Sequence, residues 1–296
     1  MKLLTGATGT AGSFIVNEFV RRQEPARVLV RDRAKAAALE RVPTVEIVEG
    51  DMSRGDTLGP ALDGVDRVLM ISAPRMDMVE TQTTFVDAAK ATGVQHVIKF
   101  SGLAAAQPET AFIFGRMHRE IEEYLEKSGL AWTHLRPTGF MQEYLREAPS
   151  VIHQGALFFA LGDVRLNPVD LVDVAKVGFR LLRDGGHEGA RLSVTGPEAL
   201  TMAQVADRVS RATGRPVHYV PVSRNDRQQA LLSHGIPAEY VEALDKQVEE
   251  RLQGGIESRV DLSTHRLFDV QPTTFLEFAE RNAEAFGGRV REGALA

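Results

Sequence analysis

The order of hydrophobic and polar positions divides the chain into two halves of different character. In the first half, short apolar segments rich in Val, Ile and Leu alternate with stretches whose apolar residues recur at helical spacing. Continuous apolar segments of this length are typical of strands that are buried on both faces of a sheet. Strands that alternate with helices predict a parallel, doubly wound sheet. The predicted strands are Lys2–Thr5, Arg27–Arg31, Val45–Glu49, Arg67–Ser72, His96–Ser101 and Trp132–Arg136, and the predicted helices between them are Thr10–Arg21, Val79–Thr92 and Phe114–Lys127.

The second half has a mainly helical pattern. Thr201–Gln204 and Thr274–Glu277 have the spacing of a capping box, and each precedes an apolar run. A stripe of apolar residues from Val241 to Leu252 recurs at helical spacing and predicts a further helix. Arg191–Val194 is the strand predicted in this half.

A glycine motif occupies the first strand-to-helix turn of the chain. In a dinucleotide-binding fold the first glycine permits a sharp turn, the second lets the backbone approach a pyrophosphate, and the third allows close helix–strand packing. The helix N-terminus also faces the phosphates with a partial positive charge. A tight turn alone would use the same glycines, but the strand–helix alternation that follows favours the binding interpretation. The predicted phosphate cradle consists of Gly6, Thr8, Gly9, Thr10, Ala11 and Gly12.

The end of the second predicted strand indicates which dinucleotide binds. Arg31 stands about 20 residues after the glycine motif, where folds that prefer NAD usually carry an acidic residue for the ribose 2′-hydroxyl. A guanidinium suits a 2′-phosphate instead, and Arg33 and Lys35 add positive charge nearby. Asp32 could still serve the ribose if the strand ran one residue further. We predict that NADP(H) is favoured over NAD(H), with Arg31 and Lys35 at the phosphate.

These features together predict an α/β fold made of a Rossmann domain and a smaller, mainly helical C-terminal lobe. The NAD(P)-binding domain is expected over residues 1–150 and the substrate lobe over residues 151–296. Residues from about 165 to 198 are expected to return and pack on the Rossmann sheet. Because ligands of doubly wound folds bind outside the carboxyl ends of the strands, we expect the site at that edge, under the lobe.

Composition excludes several classes of function. The 296 residues include 40 acidic residues against 35 Lys plus Arg, so a net charge of -5 gives no electrostatic reason to expect nucleic acid or an anionic membrane as partner. The absence of cysteine excludes disulfides, thiolate metal sites and a Cys nucleophile, and the eight histidines lack ligand spacing, so no metal is predicted. No signal-peptide pattern or membrane-length apolar run is present. We predict a cytoplasmic protein, monomer or homodimer, whose partner is a small-molecule substrate.

Short motifs that follow the glycine turn are distributed over nearly the whole chain. They are Val30–Lys35, Glu49–Asp51, Ala88–Val94, Phe100–Gly102, His118–Glu122, Ser128-Gly129, Leu135–Pro137, Phe140-Met141 and Thr195–Pro197. With the glycine turn, they resemble the NmrA-like group of atypical short-chain dehydrogenases. The resemblance implies a Rossmann domain and a small C-terminal lobe with NAD(P) between them. Members of the group include reductases of quinones, azo compounds and dyes, and also redox-sensing regulators that bind the dinucleotide without turning it over.

The resemblance also implies where the rest of the cofactor would lie. Two residues after the third strand would border the adenine, and three residues after the fourth strand would line the ribose. The residues after the sixth strand would border the nicotinamide, although Phe140 and Met141 could equally be core residues. The implied contacts are Asp51 and Met52 at the adenine, Ser72, Ala73 and Pro74 at the ribose, and Pro137, Thr138, Phe140 and Met141 at the nicotinamide.

The catalytic pair of typical short-chain dehydrogenases is missing from its expected frame. Those enzymes use a Ser at the end of the fifth strand and a Tyr-x-x-x-Lys pair on the next helix, where the Lys lowers the pKa of the Tyr. Ser101 matches the Ser, but Phe114 and His118 replace the Tyr and the Lys. Tyr124 lies about 240° around the helix from His118 and cannot substitute on the same face.

His118 begins a His-x-x-x-Glu pattern that resembles the NmrA-like quinone and dye reductases. An imidazole titrates near neutral pH and can give a proton to a nascent oxyanion. The alternative is that His118 and Glu122 form an i,i+4 pair on the surface. We predict His118 and Ser101 as the catalytic residues. The paired carboxylates Asp170 and Asp173 are instead interpreted as a helix cap and a first-turn acid.

The sequence therefore predicts an NADPH-dependent reductase of a small, planar, electron-poor substrate, most simply a quinone-like compound. Hydride would pass directly to such a substrate, whose reduced form is stable enough to take protons from water. The alternative is a non-catalytic NADP(H)-binding redox sensor that acts through a protein partner. The missing Tyr favours the sensor, and the His-x-x-x-Glu pattern favours the enzyme.

Overall fold

The computed structural model describes residues 1–288. The strands are β1 Lys2–Leu4, β2 Ala26–Val30, β3 Val45–Glu49, β4 Arg67–Met70, β5 His96–Phe100, β6 Ala131–Pro137, β7 Ala156–Phe159, β8 Ala190–Val194 and β9 His218–Pro221. The α-helices are α1 Thr10–Arg21, α2 Gly59–Leu62, α3 Met78–Ala91, α4 Ile113–Lys127, α5 Ala148–Gln154, α6 Leu171–Asp184, α7 Met202–Thr213, α8 Arg224–Ser233, α9 Ala238–Leu252, α10 Ser263–Leu267 and α11 Phe275–Arg281.

Seven parallel strands form the main sheet in the order β3-β2-β1-β4-β5-β6-β8. The order reverses between β1 and β4, so the crevice for a ligand opens at the carboxyl ends of those strands. One face of the sheet packs against α1 and α6, and the other packs against α3 and α4. The predicted α/β Rossmann fold is therefore confirmed.

Part of the second half of the chain completes this sheet. Strand β8 pairs with β6, from Ala190 opposite Thr133 to Val194 opposite Pro137. Helix α6 packs on α1, where the rings of Phe19 and Phe179 lie 4.7 Å apart. These elements fall inside the segment that was expected to return to the Rossmann domain, whereas the boundary near residue 150 stays a prediction.

The two aspartates at the start of α6 have the structural role that their spacing predicts. Asp170 caps the helix by accepting from the backbone N–H of Val172 at 2.9 Å, and its carboxylate also binds Arg281. Asp173 accepts from the backbone N–H of Thr273 at 2.6 Å. Both carboxylates are buried, so they tie the lobe to the Rossmann domain.

The C-terminal lobe packs its own apolar core around α7, α11 and a two-stranded parallel sheet of β7 and β9. Neither of these strands is predicted from the sequence. Each has only four residues, and His218, Val220 and Pro221 of β9 are exposed, so no buried apolar run marks it. Both helices that start with capping boxes are present, with Thr201 and Thr274 as their N-caps.

Candidate functional site

The first and third glycines of the motif are required by packing around the turn. Gly6 has a φ of +63°, and a Cβ there would lie 2.8 Å from the backbone oxygen of Ile71. A Cβ on Gly12 would lie 2.1 Å from the backbone oxygen of Gly6. Any side chain at Gly12 would therefore push α1 away from the sheet, as the sequence argument anticipates.

Gly9 is less tightly enclosed than the other two glycines. Its φ is -86°, and a Cβ would meet only the oxygen of Gly6, at 3.3 Å. Gly9 is the N-cap of α1, no side chain among residues 1–288 caps that helix, and its first turn contains no acidic residue. Thr8, Gly9 and Thr10 are exposed, so the N–H groups at the start of the helix are accessible to an anion. This arrangement fits a diphosphate.

The charged residues after β2 point in different directions. Arg31 is exposed just beyond the strand. Asp32 accepts from the backbone N–H of Ala34 at 3.0 Å through one carboxylate oxygen and caps a short 3-10 helix. The guanidinium of Arg33 donates to Glu40 at 2.9 Å and so does not face the cradle. Arg31 and the exposed Lys35 are the residues of this group that could hold a 2′-phosphate.

The two residues predicted at the adenine differ in burial. The carboxylate of Asp51 accepts from the backbone N–H and the hydroxyl of Ser53, at 3.0 and 2.8 Å, and these hydrogen bonds lower its pKa. The positive charge of Arg31 lowers that pKa further, which places Arg31 and Asp51 on the same edge of the sheet. Met52 is buried in the core beneath α3 and has a packing role there.

Ser72, Ala73 and Pro74 follow β4, next to the glycine turn, because β4 pairs with β1. The hydroxyl of Ser72 accepts from the side-chain amide of Gln82 at 2.8 Å, which fixes the start of this loop against α3. Ala73 and Pro74 are exposed. The three residues are therefore at the crevice where a ribose would lie.

Of the residues predicted at the nicotinamide, some line a cavity and one belongs to the apolar core of the lobe. Pro137 ends β6, and Thr138 is held by donating its hydroxyl proton to the backbone oxygen of Asn167 at 2.8 Å. Phe140 is half-buried and lines a cavity. Met141 is 1% exposed within the apolar core of the lobe, so packing explains this residue.

That cavity, of about 80 Å³, lies between the carboxyl end of β6 and the C-terminal lobe. Its aromatic wall includes Phe140, Tyr144 and Phe159. The lobe adds polar side chains from α8 and α9, so the cavity combines flat apolar surfaces with a few charged groups. Such a composition is typical of a small-molecule site.

Of the two arginines that line the cavity, one forms an ion pair and the other does not. Arg251 forms an ion pair with Glu257, and its guanidinium lies 3.5 Å from the position of a Cβ on Gly139. Arg227 lies over the ring of Phe159 at 5.8 Å and makes no ion pair with any residue of the described chain. Glu143 also lines the cavity, and the surrounding protein raises its pKa. Arg227 is therefore a cation with hydrogen-bonding capacity available to a ligand.

Phe114 and His118 occupy the positions on α4 where typical short-chain dehydrogenases carry the Tyr and the Lys. Phe114 is buried against Phe112 and Tyr240, with ring distances of 5.6 and 5.7 Å. Tyr124 donates to Asp87 at 2.7 Å on the outer face of α4, as its angular position predicts. His118 lies half-buried, and its Nδ1 is 2.9 Å from the Nζ of Lys99 on β5.

The alternative of a surface pair between His118 and Glu122 is wrong. Glu122 is 1% exposed and binds Arg136 of β6 through both carboxylate oxygens. Burial opposes the charged carboxylate, but the hydrogen bonds from Arg136 lower its pKa. Ser101 is buried, and its hydroxyl has no hydrogen-bond partner among the described residues, so its catalytic role stays a prediction.

Lys99 is the site residue that sequence reasoning missed. It is 0% exposed and stands between the apolar residues Ile98 and Phe100 of the buried strand β5. A lysine inside a doubly buried strand is the signal that could have found it, because lysine is almost never fully buried without a partner. The same argument applies to Arg136 in β6. We call Lys99, His118, Glu122 and Arg136 the α4 polar cluster.

Residues 1–288 contain no group of three His, Asp or Glu side chains placed to hold a metal ion. No helix within them has the length and apolarity that crossing a bilayer requires.

The chain matches the NmrA-like family over residues 3–279. It is 35% identical over 290 residues to an NAD(P)H azoreductase of Xenophilus azovorans, which covers 97% of this chain and 99% of the relative. It is 32% identical over 286 residues to a (4-alkanoyl-5-oxo-2,5-dihydrofuran-3-yl)methyl phosphate reductase of Streptomyces griseus, with 97% and 99% covered. The crystal structure of an NADPH-dependent quinone oxidoreductase of Escherichia coli in complex with NADPH is similar, with a TM-score of 0.84, 28% identity, and 95% of this chain and 99% of that chain covered. The chain thus belongs to the NmrA-like family, as its short motifs predict.

Proposed function

We propose that this protein is an NADPH-dependent reductase that transfers hydride directly to a small, planar, electron-poor substrate of the quinone class. The observation that carries the proposal is the aromatic cavity at the carboxyl end of β6, on the same sheet edge as the glycine cradle. A dinucleotide bound at the glycine cradle would extend along this edge, which would direct its nicotinamide towards the cavity.

The relatives support the part of the proposal that concerns the reaction type and the cofactor. They are an NAD(P)H azoreductase and an NADPH-dependent quinone oxidoreductase. The predictions of an oxidoreductase and of NADP(H) as its cofactor are confirmed on this basis. The substrate, the cytoplasmic location and the choice between monomer and homodimer stay predictions.

Several exposed residues along this edge would suit NADPH. The exposed start of α1 at Gly9 would take the pyrophosphate, and Arg31 would take the 2′-phosphate. Pro137 and Phe140 would lie beside the nicotinamide. When bound, the cofactor supplies the hydride, and the protein orients the acceptor and excludes water from it.

The cavity suits a flat acceptor that carries oxygen atoms. Phe140 and Phe159 provide apolar surfaces against which a planar ring can pack. Arg227 offers N–H donors to a carbonyl oxygen, whose negative charge grows as hydride arrives. These groups favour a quinone-like substrate over an aliphatic alcohol or sugar.

His118 would donate a proton to the reduced substrate. Burial, together with the charge of Lys99, lowers the pKa of His118 well below its usual value, so the ring is neutral at pH 7. A neutral imidazole can still donate from the nitrogen that carries hydrogen. Because a reduced quinone can also take protons from water, the contribution of His118 is expected to be modest.

A sensor remains the second candidate function, because the buried Phe114 removes the phenol of the usual catalytic frame. A sensor needs different affinities for NADP⁺ and NADPH, since a ligand shifts an equilibrium only by its preference between two states. An enzyme instead needs repeated release of its oxidised cofactor.

NADPH oxidation over a panel of quinones, azo dyes and aldehydes separates the two functions. We expect multiple turnovers with at least one quinone, and a loss in His118→Ala below the ~10²–10⁴-fold typical of general acid catalysis, with NADPH affinity unchanged. Exposed His153 gives the control variant His153→Ala, which should keep the wild-type rate. If no acceptor is reduced while NADP⁺ and NADPH bind with clearly different affinities, the enzyme proposal is overturned in favour of the sensor.

A further inference from the structure

A lysine that the proposed chemistry leaves unused lies buried next to the proposed proton donor. The Nζ of Lys99 is 2.9 Å from the Nδ1 of His118, and it also donates to the backbone oxygen of Phe100 at 3.4 Å. Lys99 is on β5, one residue before the strand ends, on the face that packs against α4. The contact therefore joins the sheet to the helix at the predicted catalytic edge.

The groups around Lys99 leave His118 as its side-chain partner. Glu122 and His118 face it from α4, and Arg136 and His134 face it from β6. Glu122 is bound through both oxygens by Arg136, and His134 lies 3.0 Å from Glu126 through its Nε2. No carboxylate of the described chain forms an ion pair with Lys99, so its ammonium is directed at an imidazole instead.

This contact determines which nitrogen of His118 carries the hydrogen. An ammonium has three donors and no acceptor, so the Nδ1 that faces it must accept. The hydrogen of the neutral ring then lies on Nε2. Nε2 is on the side of Gly102, 3.9 Å from the position that a Cβ on Gly102 would take, in the loop after β5. An N–H of His118 thus lies beside the loop after β5, outside the residues that line the cavity of Phe140 and Arg227, so the relay requires an acceptor that extends from that cavity along the carboxyl edge of the sheet.

We propose that Lys99 is a positioning and proton-supplying residue for His118, the two forming a relay from the sheet interior to the substrate. The Nε2–H bond of His118 breaks as its proton goes to the substrate oxyanion. A proton of the Lys99 ammonium moves to Nδ1 in the same event. The products are a substrate hydroxyl, a neutral His118 in the other tautomer and a neutral Lys99 amine, so the negative and positive charges cancel. Before the next turnover, water protonates Nε2 and the proton on Nδ1 returns to Lys99, which restores both groups.

The electrostatics of the cluster support this relay. Burial lowers the pKa of Lys99 to about 7, although Glu122 acts in the opposite direction. An ammonium with that pKa gives up a proton far more easily than an exposed lysine. The relay rests on the proposed reductase function, and its proton supply should fall as the pH rises through about 7, because Lys99 then loses its proton.

The tautomer of His118 tests the contact without any turnover. Nitrogen-15 NMR of the cofactor-free protein below the pKa of Lys99 should show His118 as a neutral ring with hydrogen on Nε2. In Lys99→Met the pKa of His118 should rise, because one cause of its depression is removed. A ring that carries hydrogen on Nδ1 in the wild-type protein would overturn the proposal, whether or not the variant folds.

The pH profile of kcat tests the proton supply itself, with the best acceptor of the panel. The wild-type profile should fall on the alkaline side of about pH 7. Lys99→Met should lose this inflection and lower kcat several-fold at acid pH, by less than the ~10²-fold lower limit of typical general acid catalysis. Lys99→Arg keeps the charge but cannot give up its proton, so it should not restore the rate. Lys90→Met, on the exposed face of α3, is the control and should retain the wild-type profile.

The outcomes distinguish this relay from the reductase function. If the wild-type protein reduces no acceptor, the proposed function fails, and the tautomer measurement still decides whether the Lys99–His118 contact exists. If the wild-type protein turns over and Lys99→Met or Lys99→Arg keeps both rate and pH profile, the reductase stands and the relay is overturned.

Discussion

The two ends of the proposed cofactor site are built in opposite ways. The phosphate end uses consecutive residues of one turn, Gly6–Gly12, and offers backbone N–H groups. The chemical end assembles side chains from three elements, with Lys99 from β5, His118 and Glu122 from α4, and Arg136 from β6. The first end depends on the absence of side chains, and the second depends on charged side chains buried in a sheet interior.

This difference determines which substitutions each end should tolerate. A backbone cradle binds any diphosphate and requires only small residues at fixed spacing. A buried polar cluster must be complete, because an unpaired buried charge is strongly destabilising. The chemistry of this protein is therefore expected to be more sensitive to single substitutions in α4 and β6 than to changes around the ribose.

The largest expected effect is on folding, at the chemical end. Glu122→Ala leaves the guanidinium of Arg136 buried, with 11% of its side chain exposed, and without its carboxylate partner. We expect the free energy of unfolding to fall by about 3–5 kcal/mol, measured by urea denaturation. Glu123→Ala changes an exposed neighbour on the same helix and should stay within about 0.5 kcal/mol of the wild-type value.

The same pair should make stability depend on pH. Because the pKa of Glu122 is lowered in the folded state, its contribution is present above its unfolded pKa and is lost as the pH falls through the folded value. The difference in stability between the wild-type protein and Glu122→Ala should therefore shrink on acidification. A difference that stays constant from neutral to acid pH would contradict the buried ion pair.

A smaller effect is expected at the phosphate end, where Arg31 is exposed. Losing a charge-assisted hydrogen bond to the 2′-phosphate costs about 1.5–3 kcal/mol, or roughly 10- to 150-fold in affinity. Arg31→Ala should weaken NADPH by that factor and leave NADH nearly unchanged, as measured by calorimetric titration.

Two controls make this cofactor test specific. Arg33→Ala removes a neighbouring charge that binds Glu40, so it should not change the preference for NADPH. Gly9→Val should weaken both cofactors, because its methyl groups would meet the pyrophosphate. Its Cβ requires only a small shift of the oxygen of Gly6, 3.3 Å away, so circular dichroism should show that the variant is folded. Equal losses of NADPH and NADH in Arg31→Ala would disprove the 2′-phosphate contact.

The phosphate end could be predicted from the sequence because all of its residues are close together in the chain. Helix α1 begins at Thr10 and ends at Arg21, as predicted, and β3 spans Val45–Glu49, as predicted. The glycine spacing, the strand before it and the helix after it are all visible within one short segment. The cofactor, the fold and the family follow from such local signals.

The chemical end could not be predicted in the same way. The partner of His118 lies 19 residues earlier, on another element, and the partner of Glu122 lies 14 residues later. Helical spacing joins His118 to Glu122 and suggests a surface pair, but tertiary contacts bury Glu122 against Arg136. The lobe's contribution of Arg227 and Arg251 to the cavity likewise depends on packing that no periodicity reveals.

The central claim is that hydride passes directly from NADPH to a quinone in this cavity. The most direct measurement is a single-turnover reaction of the protein with a quinone and NADPH that carries deuterium at the transferred position, without added flavin. The account predicts NADPH oxidation well above the uncatalysed rate, slowed by deuterium, followed by further turnovers when NADPH is replenished. Oxidation no faster than in the absence of protein, with every quinone tested, would contradict it.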